Sequence, residues 1–151
     1  MNATKIKTYV LTISQTFPTT HPRKGEPTTF FKQFWDGDKI HTIRGNYELW
    51  EKRIEEIKNG KAVLSIRKWT GKPYNSPQKE ECRMDSRSRI GVQKIEFDDY
   101  LYSALIDGNR FGDIHKLAKN DGLAFADFEA WFKGADISKP FVIIHFTNFR
   151  Y

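Results

Sequence analysis

The chain has 151 residues, 25 Lys and Arg against 19 Asp and Glu, a formal net charge of +6 and 38% apolar residues, with a mean hydropathy of −0.65. That length suits one domain able to bury a core without disulfides or metal, and no window approaches the roughly 18 consecutive apolar residues of a membrane span. The single cysteine, Cys82, excludes an internal disulfide or a thiolate zinc cluster and fits a reducing compartment; Met1-Asn2-Ala3-Thr4-Lys5 holds no apolar signal core, so the expectation is a cytoplasmic protein.

Residues 7–14 alternate, with Tyr9, Leu11 and Ile13 on one face and Thr8, Thr12 and Ser14 on the other, as in a half-buried strand. Pro18, Pro22, Gly25 and Pro27 then mark a loop carrying His21, Arg23 and Lys24, either a flap over a site or plain surface. Thr28 or Thr29 can cap a short helix in which Phe30, Phe31, Phe34 and Trp35 form an aromatic core stripe before Gly37 ends it.

Next comes the most chemically concentrated stretch of the chain, Gly37-Asp38-Lys39-Ile40-His41-Thr42-Ile43-Arg44. Two readings are open. In one, Ile40 and Ile43 anchor a short connecting strand whose polar residues are a solvated face, threonine being common in strands for conformational reasons. In the other, Thr42 is a nucleophile, Lys39 its base, and Arg44 holds an anion or a carbonyl. The second demands a bend, because residues 39 and 42 point to opposite faces of a straight strand; Gly37-Asp38 permits a turn there.

Asn46 can cap a helix in which Tyr47, Trp50, Ile54 and Ile57 recur every three or four residues until Gly60, with Glu48 and Lys52 one turn apart on its wet side. Residues 61–69 alternate again and deliver Arg67 and Trp69 to a strand exit. Thr70–Pro77 reads as an excursion that sets Lys72 and Tyr74 near that exit. Between Arg67 and Lys94 lie eight basic residues against three acidic ones. Trp69 and Tyr74 are interleaved with them, and cations beside aromatic faces are how proteins grip single-stranded nucleic acid. The alternative is a solvated loop. Lys94–Phe97 and Tyr100–Ile106 read as strands, and Asp107-Gly108-Asn109 as a turn. Asp113 opens a helix carrying Ile114, Leu117 and Ala118 that Asn120-Asp121-Gly122 breaks. A further helix holds Phe125, Phe128, Trp131 and Phe132, and residues 141–146 read as a strand covered on both faces.

Strands outnumber helices, which points to an α+β fold with helices around a small, mostly antiparallel β-barrel. No His or Cys spacing suits a metal, and the sequence calls for no cofactor. His41 could be an acid or base or a histidine satisfied by backbone; His115 and His145 read as structural, and Cys82 as unreactive.

The run Phe30-Phe31-Lys32-Gln33-Phe34 followed by Lys39-x-His41-Thr42-Ile43-Arg44, then Ala118-Lys119-Asn120-Asp121-Gly122-Leu123 and Phe141-Val142-Ile143-Ile144-His145-Phe146 in that order, resembles ASCH domains of the PUA-like superfamily. The resemblance covers most of the chain outside residues 70–95 and implies a single domain over residues 1–151 with a basic insertion at about 70–91. Some ASCH-like proteins remove the acetyl group from N4-acetylcytidine, and others are thought to bind RNA. Carried over by position, the enzymes' Lys, Thr and acidic residue fall on Lys39, Thr42 and Asp121; the acidic position is usually Glu in those enzymes, so Asp121 is one methylene shorter. The implied partner is RNA or a nucleoside, with Arg44, His41, Arg67, Trp69, Lys72 and Tyr74 as binding residues. The competing expectation is a non-catalytic RNA-binding module.

Overall fold

In a computed structural model, which describes residues 5–98 and 100–151, eight strands form two sheets and four helices pack around them. The N-terminal reading therefore lies outside the described residues apart from Lys5. The first sheet has the order β1 (Lys7–Thr12), β3 (Ala62–Trp69), β4 (Gln78–Met84), with β1 parallel to β3. The second is antiparallel throughout, in the order β2 (His41–Gly45), β8 (Phe141–His145), β5 (Gly91–Asp98), β6 (Ser103–Ile106), β7 (Asn109–Phe111). The fold is therefore α+β and mostly antiparallel; among the described residues no strand ladder joins the two sheets.

Helix α2 (Tyr47–Lys58) lies against β3 of one sheet and β5 and β8 of the other. Its start is fixed by the Asn46 side chain, which accepts from Leu49 N–H, and its apolar stripe buries Trp50, Ile54 and Ile57. The Glu48–Lys52 pair does not form among the described residues; instead the Tyr47 hydroxyl donates to Glu51. Strand β8 runs between β2 and β5 with Val142 to Ile144 fully buried, as its continuous apolar run requires. Asp107 and Gly108 both take positive φ, 49° and 81°, the geometry of a two-residue hairpin turn that twists with its strands, and this turn carries the chain from β6 to β7.

Two expectations are corrected. Trp35, at the end of α1 (Phe30–Asp36), is 59% exposed rather than core; a seven-residue helix buries only Phe30 fully and has no second layer to cover its far face. The loop at residues 16–27 is not plain surface: His21 is 3% exposed, its ring 4.5 Å from Phe17, and Arg23 donates to the Asp127 carboxylate at 2.6 Å on α4 (Phe125–Phe132). Within the basic window, where no strand was expected, β4 pairs with β3 through a bulge at Ile66/Arg67. Helix α3 (Ile114–Asn120) is capped by Asp113, whose side chain accepts from Lys116 N–H, and its last turn sets Asp121 beside the start of β2. Among the described residues no helix is long and apolar enough to cross a membrane.

Candidate functional site

The octet is neither a solvated face nor a straight strand. Gly37 closes α1 with φ 83°, residues 38–40 are irregular, and β2 begins only at His41. Ile40 is held on both sides, its N–H donating to Asn120 C=O and its C=O accepting from Phe146 N–H. This irregular entry supplies the bend that the chemical reading needs: Lys39 and Thr42 line one cavity of about 40 Å³ together with Arg44 and Asp121. Phe30, Ile13, Leu123 and Trp131 form apolar walls. Lys39 is 2% exposed, Thr42 6% and Asp121 6%.

The Lys39 ammonium donates to the Asp121 backbone carbonyl at 2.6 Å and to its carboxylate at 3.4 Å, and it stands 4.3 Å from the centre of the Phe30 ring. The shorter side chain of Asp121 thus meets Lys39 loosely, while the backbone makes the close contact. Burial pushes the Lys39 amine below its ordinary range; Asp121 opposes that shift and Arg44 adds to it. Arg44 reaches across to the first sheet, donating through Nη2 to Thr12 C=O at 2.8 Å. Its buried Nε has no partner among the described residues, although buried polar groups are nearly always satisfied. Thr42 Oγ1 hydrogen-bonds to none of the described residues. The cavity therefore offers the Thr42 hydroxyl to an arriving ligand, beside Lys39, Arg44 and Asp121.

His41 is not on the cavity surface. It is 0% exposed, with Nδ1 at 3.4 Å from Asp121 Oδ1 and Nε2 at 2.7 Å from the Tyr151 hydroxyl. Asn120 Nδ2 donates to the same hydroxyl at 3.0 Å. Burial pushes His41 below its ordinary range, Asp121 opposing, so the ring is neutral at pH 7; burial pushes Tyr151 up, so its proton stays on. Opposite His41 in the ladder stands His145, hydrogen-bonded through Nε2 to Gln93 Oε1 at 3.0 Å.

Burial, with help from His41 and Arg150, lowers His145 from 6.5 to about 3. The unfolded chain then binds a proton on this residue that the folded one refuses, so its contribution to stability is complete above pH 6.5 and is lost as pH falls toward 3. Folding stability is expected to drop by about 1.4 kcal/mol per pH unit below 6.5 from this residue alone, a slope that urea titrations of wild type and His145→Gln at pH 7 and 5 would reveal by its loss in the variant.

Gly122 fixes the cavity's edge. Its φ is +91°, and a Cβ there would stand 3.0 Å from Phe30 Cδ1 and 3.3 Å from Lys39 Cδ. Gly122→Ala is expected to lower stability by about 1–3 kcal/mol from the strained backbone, and by more than Gly134→Ala, where φ is +86° but nothing lies within 4 Å. Denaturation midpoints of the two variants compare them directly.

The remaining binding candidates lie outside this cavity. Arg67 Nε donates to Ser65 Oγ at 2.8 Å, and Lys72 is on the exposed turn before β4. Trp69 and Tyr74 stack with centroids 5.1 Å apart; Tyr74 is 86% exposed, at φ 65°, and lies within electrostatic reach of Arg44. The basic window is partly neutralised from within, by Arg83 on Glu80, Lys68 on Glu81 and Arg87 on Asp85. Sequence reasoning missed Tyr151, Asn120 and Gln93, which no local pattern marks, and took Phe30 and Trp131 for packing when they also wall the cavity. Two roomier clefts, about 400 Å³ beside Tyr47 and Lys94 and about 540 Å³ beside His115 and Phe125, contain no comparable cluster of buried polar groups.

Among the described residues no group of His, Cys, Asp and Glu has the arrangement to hold a metal ion. No protein-family model, no curated protein and no solved structure matches this chain.

Proposed function

We propose that this chain is an ASCH-type, PUA-like protein that hydrolyses an N-acylated cytidine-type amide in the cavity where β2 faces the end of β1, its two sheets corresponding to the family's barrel. One observation carries the reading: a buried Lys39–Asp121 pair lines a cavity with Arg44 and with Thr42, whose hydroxyl bonds to none of the described residues.

The chemistry follows from these groups. A threonine hydroxyl attacks only when a base takes its proton, and a lysine amine is a base near neutral pH only when burial and a nearby cation lower its pKa. Both conditions apply to Lys39. Thr42 Oγ1 bonds to the acyl carbon as Lys39 takes the hydroxyl proton. Arg44 donates to the oxyanion. The C–N bond breaks as Lys39 returns that proton to the departing amine, leaving an acyl-threonine ester that water cleaves. Asp121 holds Lys39 in place through both steps. A cavity of about 40 Å³, a few times the roughly 10–15 Å³ that a single water needs, suits the acyl group and leaves the base at the rim.

That small volume also favours a second reading, a non-catalytic RNA-binding module in which Lys39 and Arg44 contact phosphate and the Trp69–Tyr74 stack with Lys72 meets a base. The two separate in one assay. Incubation of the protein with N4-acetylcytidine, followed by chromatography, is expected to show cytidine and acetate formed at a rate indifferent to salt. Absence of turnover, with RNA binding that weakens by about 0.7 log unit per log unit of salt for each phosphate neutralised, would replace the first reading by the second.

A further inference from the structure

Behind the cavity, two hydrogen bonds lead to His41, while its far nitrogen makes a charge contact that lacks hydrogen-bond geometry, so that Nδ1 is bonded to none of the described residues. Asn120 Nδ2 is 3.0 Å from the Tyr151 hydroxyl, that hydroxyl is 2.7 Å from His41 Nε2, and His41 Nδ1 is 3.4 Å from Asp121 Oδ1. The direction can be deduced. A neutral imidazole carries one proton, on Nδ1 or on Nε2. Were it on Nε2, a bare Nδ1 lone pair would face the Asp121 carboxylate across 3.4 Å, two acceptors opposed in a site where His41 is 0% exposed, an arrangement that burial makes costly. Were it on Nδ1, that N–H faces the carboxylate, and Nε2 accepts from Tyr151. The phenol has one proton to give. Asn120 donates to its oxygen, so the proton is free to go to His41.

We propose that His41 is a positioning residue: Tyr151, oriented by Asn120, locks it in the Nδ1–H tautomer, and the ring then orients the Asp121 carboxylate that holds Lys39. The assignment of this role rests on the amidohydrolase reading; the tautomer does not. Asp121 Oδ1 stands 3.4 Å from the Lys39 ammonium and 3.4 Å from His41 Nδ1, so the ring flanks from behind the carboxylate that the lysine meets from the cavity side. Tyr151 is 110 residues from His41 in the chain, so the lock also ties the chain's far end to the site.

Two amide substitutions separate this role from simple packing. In His41→Asn the amide N–H₂ can occupy the position of ring Nδ1 and still donate to Asp121. In His41→Gln the amide reaches instead toward Tyr151 and leaves Asp121 without its donor. His41→Asn is expected to keep kcat within about tenfold of wild type. His41→Gln is expected to lose ~100-fold in kcat, the scale of a catalytic group misplaced by about an ångström, with KM changed only a few-fold. Equal losses in both variants would reduce His41 to a packing residue and overturn the proposal. Independently of any turnover, long-range ¹H–¹⁵N NMR reads which ring nitrogen carries the proton: Nδ1 in wild type is required, and a proton on Nε2 overturns the lock. In Tyr151→Phe the two tautomers are expected to mix, and an unchanged spectrum would remove Tyr151 from the account. A wild type without turnover whose His41 proton sits on Nδ1 would sink the enzyme reading and leave the lock standing.

Discussion

Asp121→Ala is expected to destabilise the fold by about 3–5 kcal/mol, the cost of removing one partner from a buried ion pair. Lys39 is 2% exposed and Asp121 supplies the carboxylate it meets. The variant chain escapes a buried unpaired cation only by giving up the proton. Deprotonating an amine of ordinary pKa 10.5 at pH 7 costs about 1.4 kcal/mol per unit, or roughly 5 kcal/mol in all, which caps the penalty. Removing both charges together leaves nothing unpaired, so Lys39→Met with Asp121→Leu is expected to recover most of the loss. Urea unfolding of the single and double variants measures both; a double variant as unstable as Asp121→Ala would mean that the ion pair is not what the fold depends on here.

Thr42→Ala is expected to do the opposite: turnover falls by ~10³ or more, while stability changes by less than about 1 kcal/mol. The hydroxyl hydrogen-bonds to none of the described residues, so its removal strands no partner, and only a group whose partner is left unsatisfied carries the larger penalty. Loss of a covalent nucleophile strips catalysis down to what binding and oxyanion stabilisation supply. Thr42→Ser, which keeps a hydroxyl without the methyl, is expected to retain measurable activity. A Thr42→Ala variant with wild-type kcat would remove Thr42 from the mechanism and leave Lys39 acting on water or on nothing.

The parts of the fold that could be read in advance are those where one local rule decides. Asn46, the spacing of Trp50, Ile54 and Ile57, and Gly60 specify α2 without outside help. The apolar run at residues 141–146 announces a doubly covered strand, and β8 occupies that place between β2 and β5. Strand β4 was illegible because Gln78-Lys79-Glu80-Glu81-Cys82-Arg83-Met84 has no alternating apolar face. It lies at the edge of its sheet, where charges blunt unwanted pairing, and its carboxylates are taken by Arg83 and Lys68. Three-residue β7 is too short to show a pattern.

The site divides along the same line. That Lys39, Thr42 and Arg44 could act together was visible once a bend was allowed, and Gly37 with an irregular stretch at 38–40 provides it. Their burial was not visible, since it comes from Phe30, Leu123 and Trp131 closing over them. Nor was the support behind His41. Tyr151 lies 110 residues away and Gln93 is 58 residues from Tyr151, distances at which a sequence carries no local signal. The aromatic stripe of α1 misled for a physical reason: spacing tells which residues share a face, and a face becomes core only if another element covers it. Trp35 has none.

A rapid-quench experiment, in which the protein is mixed with N4-acetylcytidine, stopped within one turnover, digested and mapped by mass spectrometry, tests the Thr42 acyl ester. An added acetyl group is expected on the peptide containing Thr42, formed before cytidine release is complete and absent from Thr42→Ala. Cytidine release with no acetylated intermediate, or an acetyl group carried by Lys39 instead of Thr42, would contradict it.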